Sequence, residues 1–502
     1  MRAAGRETGH LGVVSAGHPA TVAAAVEVLR AGGNAYDAAV AAGFAATVAE
    51  PCLSSLGGGG FLLAKTAAGD EVVFDFFVDT PGRGRPALAP EPTLTPVTVR
   101  FVAADQEFHV GHGSVAVPGC LAGYLHVHRR LGRLDLAEVV EPARRLAADG
   151  VVLGRGQAAI VRLLEPIFVM HAEARARFVP EGRPFGDDEA VVSERLAAFL
   201  ARVATGEVDG FGDPEVVDAV VADMVANGGC ITAEDLTGYR VIERTPLTVE
   251  HRAGRLLTNP PPSFGGTLVA RALALLASVP PSGPMGSGAR LRQLVDVMAA
   301  VTDHHTNGGG DPQPPAVAAT GPRSAKGTTH VSVADAEGNL AAMTTSNGTG
   351  SGITLGDTGV LANNIMGEAD LHPGGFHLAP PGHRVGSMMA PTVLLRDGAA
   401  PVVLGSGGSE RIRTALTQTI ANLLDHGMSL ETAVAAPRVH WDGSTVQVEP
   451  GYDPAAIAEL ATERAVNQWS VSDLYFGGVN AVSADGERAA DPRRGGGTCL
   501  VT

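Results

Sequence analysis

The residues with the clearest chemical potential open a hairpin in the second half of the chain. Apolar and polar residues alternate from Thr329 to Val333, which is the pattern of a half-buried strand. A turn cluster at 335–339 and an apolar return that starts at Leu340 complete the prediction of a β-hairpin. A cut after Gly327 would make Thr328 a new N-terminus.

An N-terminal threonine combines a nucleophile and a base in one residue. Its hydroxyl is a weak nucleophile at neutral pH, but its α-amino group, with an ordinary pKa of about 7.7–8.0, can accept the proton near working pH. The same residues, taken alone, also fit the ordinary first position of a strand. The rest of the chain favours the nucleophile.

The elements that would hold this hairpin are mixed helices and strands. Apolar periodicity predicts helices over 21–31, 35–48 with Asn34 as the cap, 121–131, 137–148, 189–202, 214–227, 268–276 and 291–302. Strands are predicted over 61–64, 71–78 and 252–258. This mixture agrees with an α+β fold.

A connector without periodicity is predicted immediately before the hairpin. Residues 306–327 are rich in Gly, Pro, Ala and Thr, a composition that cannot bury itself. We expect this segment to be flexible and accessible to a maturation cut.

The bulk properties of the chain exclude several classes of partner. A net charge of −16 argues against nucleic acid and anionic membranes, and no apolar run reaches the length of a membrane span. An apolar content of 45% in 502 residues permits one large fold. Positive residues near the start without an apolar signal core predict a cytoplasmic location and an intracellular substrate. We expect that substrate to be a small molecule.

Three further features have a functional interpretation that their context does not favour. The run at 57–60 lacks the Lys-Ser/Thr of a phosphate loop, so it is expected to allow close backbone approach and positive φ values. His304 and His305 lack a spaced set of carboxylates, so no metal is predicted, and no cofactor either. The cysteines lack metal-ligand spacing and are predicted to be buried free thiols: Cys52, Cys120, Cys230 and Cys499.

Motifs along almost the whole chain resemble those of the γ-glutamyltranspeptidase family of N-terminal-nucleophile hydrolases. In the first part they are LRAGGNAYDAAV at 29–40, EP at 50–51, GGGGF at 57–61, VPG at 117–119, NGG at 227–229, ITAEDL at 231–236 and PPPSFGG at 260–266. In the second part they are TTH at 328–330, NN at 363–364, APT at 390–392, GSGG at 405–408, APR at 436–438 and DPRRGG at 491–496. So many motifs in one order make the resemblance specific.

The resemblance implies a fold and a maturation step. The fold would be a four-layer αββα sandwich of the α+β class. The precursor would cleave itself before Thr328, giving a large chain of residues 1–327 and a small chain of residues 328–502. The two chains would remain together as one heterodimeric body.

The resemblance also implies catalytic roles. Thr328 would be the nucleophile, and Ser346 would hydrogen-bond to its hydroxyl oxygen. The backbone amides of Gly407 and Gly408 would bind the oxyanion, or those of Gly408 and Ser409 in the alternative alignment; such donors contribute roughly 3–4 kcal/mol each in comparable sites.

The substrate-binding positions depart from the family pattern. Phe77 stands where the family has the carboxylate-binding Arg, and an aromatic ring cannot replace a bidentate cation. Ser387 and Met388 align with a pair of serines. Glu368 aligns with the Asp that binds the α-amino group. The family's Asn near the second hydroxyl aligns with Gly348 here, and Asn347 lies one place before it. Because the carboxylate site has changed, we expect a larger, less charged or differently oriented acyl group.

These residues predict a self-processing hydrolase or acyltransferase that acts on an amide, either γ-glutamyl-like or with an altered acyl group, through an acyl-enzyme. Arg83 and Arg85 are candidates for a cation supplied from a shifted position. A C–C bond hydrolase of a natural-product pathway on the same fold is one alternative. A non-catalytic homologue that binds a small molecule or a protein is another.

Overall fold

The computed structural model describes residues 9–86, 89–100, 105–306, 327–372 and 374–502. Its strands are β1 (Gly12–Ala16), β2 (Gly59–Lys65), β3 (Glu71–Phe76), β4 (Thr95–Arg100), β5 (Asp105–Val110), β6 (Val151–Val152), β7 (Ala190–Val191), β8 (Ile242–Arg244), β9 (Leu247–His251), β10 (Gly254–Thr258), β11 (Gly327–Asp335), β12 (Leu340–Gly348), β13 (Thr392–Arg396), β14 (Val402–Gly407), β15 (Val439–Trp441), β16 (Val446–Val448), β17 (Val466–Gln468), β18 (Gly478–Ser483), β19 (Arg488–Ala490) and β20 (Gly497–Val501).

The helices complete the element order. They are α1 (Pro19–Arg30), α2 (Ala35–Ala49), α3 (Cys120–Leu131), α4 (Leu136–Asp149), α5 (Gly154–Leu163), α6 (Glu165–Phe168), α7 (Ala172–Phe178), α8 (Glu194–Ala204), α9 (Pro214–Ala226), α10 (Ala233–Gly238), α11 (Gly265–Ala277), α12 (Gly288–Thr306), α13 (Arg411–Asp425), α14 (Leu430–Ala435) and α15 (Pro454–Leu460).

Two stacked sheets form the centre of the molecule. One is seven-stranded, in the order β20-β1-β11-β12-β2-β3-β8, and the other is six-stranded, in the order β19-β18-β14-β13-β10-β9. Strand β11 packs against β14 and β18 of the second sheet. Helix α2 covers β11 and β12 from outside, and α11 and α13 cover the second sheet. This arrangement is the predicted αββα sandwich.

Residue alternation along the strands explains why both faces of the first sheet are buried. In β12, Ala341 and Met343 join the apolar cluster of the outer helices. Leu340 and Ala342 point the other way and join the cluster between the sheets. Successive side chains on a strand face opposite sides, so the apolar first half of β12 contributes to two cores.

Most of the predicted elements are confirmed, with small shifts at their ends. Helix α2 begins after Asn34, whose side chain accepts from the Tyr36 and Asp37 amides in a capping box. The helix predicted from residue 189 is wrong at its start, because it begins at Glu194. Residues Ala190–Val191 instead pair as a strand with Val151–Val152.

The glycine run at 57–60 behaves only partly as predicted. A Cβ at Gly58 would collide with the carbonyl oxygen of Ser346, and a Cβ at Gly60 would lie 2.5 Å from that of Thr344. The close approach of backbones is therefore confirmed. The predicted positive φ values are wrong, because none of the four glycines adopts one.

Three other sequence predictions concern the connector, the cysteines and membrane-spanning segments. The connector predicted at 306–327 lies outside the described residues except for its two ends. All four cysteines are free thiols, and Cys499 is only half-buried. No helix in the described ranges is long and apolar enough to cross a membrane.

Candidate active site

The two hydroxyl groups on β11 and β12 meet at the point where the hairpin ends. Thr328 pairs with Ser346 in the ladder, and the Thr328 hydroxyl donates to the Ser346 Oγ at 3.3 Å. The Ser346 hydroxyl in turn donates to the carbonyl oxygen of Gly327 at 2.5 Å. Both hydroxyl residues are buried. The Ser346 hydroxyl therefore links the Thr328 hydroxyl to the carbonyl oxygen of the preceding residue.

The residues after Thr328 anchor the strand through buried polar contacts. The Thr329 hydroxyl donates to Glu50 at 2.6 Å, and Thr21 donates to the other oxygen of that carboxylate at 2.7 Å. Burial raises the pKa of Glu50 above its ordinary value, although these hydrogen bonds oppose the shift. The network ties β11 to the ends of α1 and α2.

His330 is a structural residue of the hairpin. Its Nδ1 lies 2.7 Å from the Thr344 Oγ1 and its Nε2 lies 2.9 Å from the Ser332 Oγ. Burial lowers the pKa of His330 to about 3, so the ring is neutral at physiological pH. With both nitrogens engaged, this histidine does not act as the base for Thr328.

A glycine turn from the second sheet approaches Thr328 from the opposite side. A Cβ at Gly407 would collide with the carbonyl oxygen of Thr328, so only glycine fits there. Gly408 has a φ of +122° and Ser409 a φ of +52°. The turn leads directly into α13, whose N-terminal end faces the same region through Ile412. Backbone amides at a helix start favour negative charge.

A small cleft with a volume of about 30 Å³ connects these elements. Its apolar wall is formed by Phe77, Ile365, Leu371, Met388, Met389 and Ile412. Its polar positions are Thr328, Ser346, Glu368, Asp370, Ser387 and Ser409. Neither Arg nor Lys is found among the described residues that line it.

The structure brings most of the predicted site residues into this cleft. Thr328, Ser346, Phe77, Glu368, Ser387 and Met388 line it, and Gly407 and Gly408 form the adjoining turn. Asn347 is turned away, because its side chain donates to the carbonyl of Pro51 at 3.2 Å.

The Phe77 ring is buried and packs against another aromatic ring. It is 1% exposed and stacks on Phe61 with ring centroids 5.7 Å apart. Its backbone is fixed by Asp75, which accepts from the Phe77 amide at 3.0 Å. The ring therefore forms a fixed part of the apolar wall.

The arginines near the Phe77 segment bind carboxylates and backbone carbonyls of the surrounding loops. Arg384 donates to Asp79 at 2.8 Å and to Asp75 at 2.9 Å, and it is buried. Arg83 contacts Asp79 and the carbonyl of Gly382, and Arg85 donates to the carbonyl of Pro90. None of the three lines the cleft.

The sequence reasoning missed a cation beside the hairpin. Arg494 donates through Nη1 to the carbonyl oxygen of Thr328 at 3.3 Å. Its neighbour Arg493 points elsewhere, to Glu449 and Asp491. The motif at 491–496 contains both arginines, but only the tertiary structure separates their directions. Asp370 and Ser409, which share a 3.1 Å hydrogen bond, lie in irregular segments without any periodic signal.

Comparisons with known proteins give one consistent family. A sequence profile described as "Gamma-glutamyltranspeptidase" matches residues 21–323 and 316–501. The chain is 33% identical over 508 residues to "Acylase ACY 1 proenzyme" of Pseudomonas sp. (strain SE83), covering 95% of this chain and 90% of that protein. It is 30% identical over 519 residues to "Glutathione hydrolase proenzyme" of Escherichia coli (strain K12), covering 93% and 88%.

Solved structures show the same fold. The cephalosporin acylase from Bacillus halodurans superposes with a TM-score of 0.83 at 23% identity, covering 98% of this chain and 96% of that one. The γ-glutamyltranspeptidase of Helicobacter pylori gives a TM-score of 0.50 at 27% identity, covering 59% of this chain and 85% of that one.

Proposed function

This chain belongs to the γ-glutamyltranspeptidase family, and from that premise we propose that it is a self-processing amide hydrolase or acyltransferase with Thr328 as its nucleophile. The family relatives named above support a hydrolase or acyltransferase of the N-terminal-nucleophile type. The observation that carries the assignment to Thr328 is the chain of contacts from its hydroxyl to Ser346 and on to the Gly327 carbonyl.

Self-cleavage is the first proposed step. The Thr328 Oγ attacks the Gly327 carbonyl carbon, the bond to the Thr328 nitrogen breaks, and that nitrogen keeps the proton lost by the hydroxyl. Water then hydrolyses the resulting ester. The products are a large chain of residues 1–327 and a small chain of residues 328–502 with a free α-amino group and a free hydroxyl at Thr328.

Turnover would reuse the same atoms on a substrate amide. The freed α-amino group accepts the hydroxyl proton as the Oγ–carbon bond forms. The amides of the turn at Gly407 and Gly408, or at Gly408 and Ser409, stabilise the oxyanion. The leaving amine takes the proton as the amide bond breaks, and water or an amine resolves the acyl-enzyme ester.

The described cleft favours an acyl group with an apolar body over a γ-glutamyl group. A free α-carboxylate needs a cation or several donors when it leaves water. The described lining offers Phe77 and Met388 at the aligned positions and no arginine. Glu368 and Asp370 would repel a carboxylate at the same place.

The primary test is the intact mass and N-terminal sequence of the purified protein beside its Thr328→Ala variant. We expect two fragments in the native protein, one of which begins at Thr328, and one uncut chain in the variant. The variant changes one buried hydroxyl and one methyl, so a matched melting temperature would serve as the folding control. An uncut native protein would refute self-processing.

Substrate choice needs a separate assay. Release of nitroaniline from γ-glutamyl, glutaryl and phenylacetyl p-nitroanilides, with and without glycylglycine as acceptor, compares the acyl groups and separates hydrolysis from transfer. We expect the phenylacetyl compound to be used best. A clear preference for the γ-glutamyl compound would contradict the proposed acyl specificity while leaving the nucleophile intact.

A further inference from the structure

The hydrogen bonds that hold Arg494 among the described residues go to backbone oxygens. Arg494 donates to two backbone oxygens, those of Thr328 and Leu474, both at 3.3 Å. Its Nε is enclosed and has no hydrogen-bond partner among the described residues. Burial lowers the pKa of Arg494 to about 10, so the side chain remains a cation at neutral pH.

The backbone around Arg494 leaves room for the guanidinium. A Cβ at Gly478 would collide with the Arg494 Cδ, and a Cβ at Gly407 would lie 3.0 Å from its Nη1. A Cβ at Gly408 would lie 3.4 Å from its Nη2. The cation therefore lies directly under the same turn that approaches Thr328.

The charge of Arg494 is not neutralised by a direct ion pair. Within the described parts of the chain, no carboxylate forms an ion pair with it. Asp491 is already held by Arg438 at 2.7 Å and by Arg493 at 3.0 Å. Arg493 also pairs with Glu449, so those two arginines and two carboxylates balance one another. Burying a cation without a paired charge costs free energy. This cost suggests that the positive charge of Arg494 acts on a group near Thr328.

We propose that Arg494 is a positioning residue that fixes the Thr328 carbonyl and, through its charge, keeps the freed α-amino group of Thr328 in its neutral, proton-accepting form. This inference rests on the proposed function. The carbonyl oxygen and nitrogen of one residue are close enough that the guanidinium lies within about 7 Å of the amine. A positive charge at that range disfavours a second positive charge.

Other charged or titratable groups surround Thr328 and set the background. The groups from the neighbouring elements are His18, Glu50, Cys52, Arg177, His330, Glu368, Asp370, Glu410, Arg411 and Asp491. Burial raises the pKa of Glu50 and, to about 12, that of Cys52. These residues are the same in every Arg494 variant, but loss of the guanidinium also removes one of the charges that lower the pKa of Glu50.

The test measures how readily the α-amino group of Thr328 loses its proton. Cyanate carbamylates only neutral amines. Mass spectrometry of the N-terminal peptide of the small chain measures this labelling at each pH. The pH dependence gives the midpoint at which half of the Thr328 α-amino groups are neutral, without any substrate. In the neutral variants R494Q and R494M we expect this midpoint to rise by about 1–2 pH units. R494K should stay near the native midpoint. R488Q removes an exposed arginine of the same region and should also leave it unchanged.

Each result decides a different claim. An unmoved or lowered midpoint in a cleaved neutral variant would overturn the role of Arg494. Neutral variants that stay uncut would also overturn the assigned effect on the α-amino group, because they would show that the charge of Arg494 is needed before that group exists. A native protein that is not cut before Thr328 would instead refute the proposed function itself.

Discussion

At the scale of single residues, Ser346 is the group on which both proposed reactions depend. Its one proton is directed at the Gly327 oxygen, while its oxygen accepts from the Thr328 hydroxyl and from the Gly348 amide at 3.1 Å. These contacts orient the Thr328 oxygen beside the carbonyl before any bond changes. We therefore expect Ser346 to act as an oxyanion donor during the proposed cleavage.

Removing this hydroxyl tests its role. In Ser346→Ala we expect self-cleavage to slow by about 10²–10³-fold, the usual loss for one oxyanion donor. The measurement is the fraction of cut chain against time, by denaturing gel, in freshly purified precursor. Ser346→Thr keeps the hydroxyl and should retain most of the rate. Equal rates for Ala and native protein would show that the hydroxyl is dispensable.

Gly327 tests the fit of the backbone at the cut. A Cβ there would collide with the carbonyl oxygens of both Cys52 and Gly348, and neither is a flexible side chain. We expect Gly327→Ala to displace the carbonyl, to leave the chain mostly uncut and to destabilise it by about 1–3 kcal/mol. Mass spectrometry and urea unfolding measure the two effects. Gly338→Ala, in the exposed turn, is a control for alanine at a glycine of the same hairpin, although its φ of +93° will cost some stability.

At the scale of elements, periodicity alone predicted much of the framework around the hairpin. Helices α1 and α2 and strands β2 and β3 carry regular apolar patterns, and each forms close to its predicted place. The start of α8 could not be found in this way, because the preceding residues pair with a strand about forty positions earlier. The cleft wall at 365–371 has one short 3-10 helix, Ile365–Gly367, and is otherwise irregular, so its contribution depends on tertiary contacts that leave no local signal.

The hairpin itself makes stability depend on pH through His330. The pKa of this buried side chain is about 3 in the folded protein, against about 6.5 when unfolded. Between these values the unfolded chain binds a proton that the folded chain does not, so stability falls as the pH falls below about 6.5. From pH 7 to pH 5 this one group accounts for a loss of about 2 kcal/mol.

Comparing how the free energy of unfolding changes with pH in the native protein and in a His330 variant isolates the contribution of His330. Urea unfolding of native protein and His330→Gln at pH 7 and pH 5 gives two differences in the free energy of unfolding. We expect the difference to be about 2 kcal/mol smaller in the variant, since other buried histidines such as His440 contribute equally to both. His330→Gln will itself be less stable at pH 7, but the same slope in both proteins would show that His330 titrates in the folded state.

At the scale of the whole molecule, the proposed cut divides the chain without dividing the fold. Strand β1 of the large chain lies between β20 and β11 of the small chain, and β2 of the large chain pairs with β12 of the small one. In the second sheet, β13 of the small chain pairs with β10 of the large one. Separation would break three strand interfaces on the β1 and β2 edges, one more in the second sheet, and both apolar clusters.

This interleaving predicts that the fragments stay together after cleavage. On size-exclusion chromatography in neutral buffer, both should elute in one peak at the volume of the uncut Thr328→Ala variant. They should separate only in denaturant, since a paired strand inside a sheet cannot leave without exposing its backbone groups and its core face. Fragments that elute apart in neutral buffer would mean that the cut lies elsewhere, at a place where the two pieces do not share a sheet.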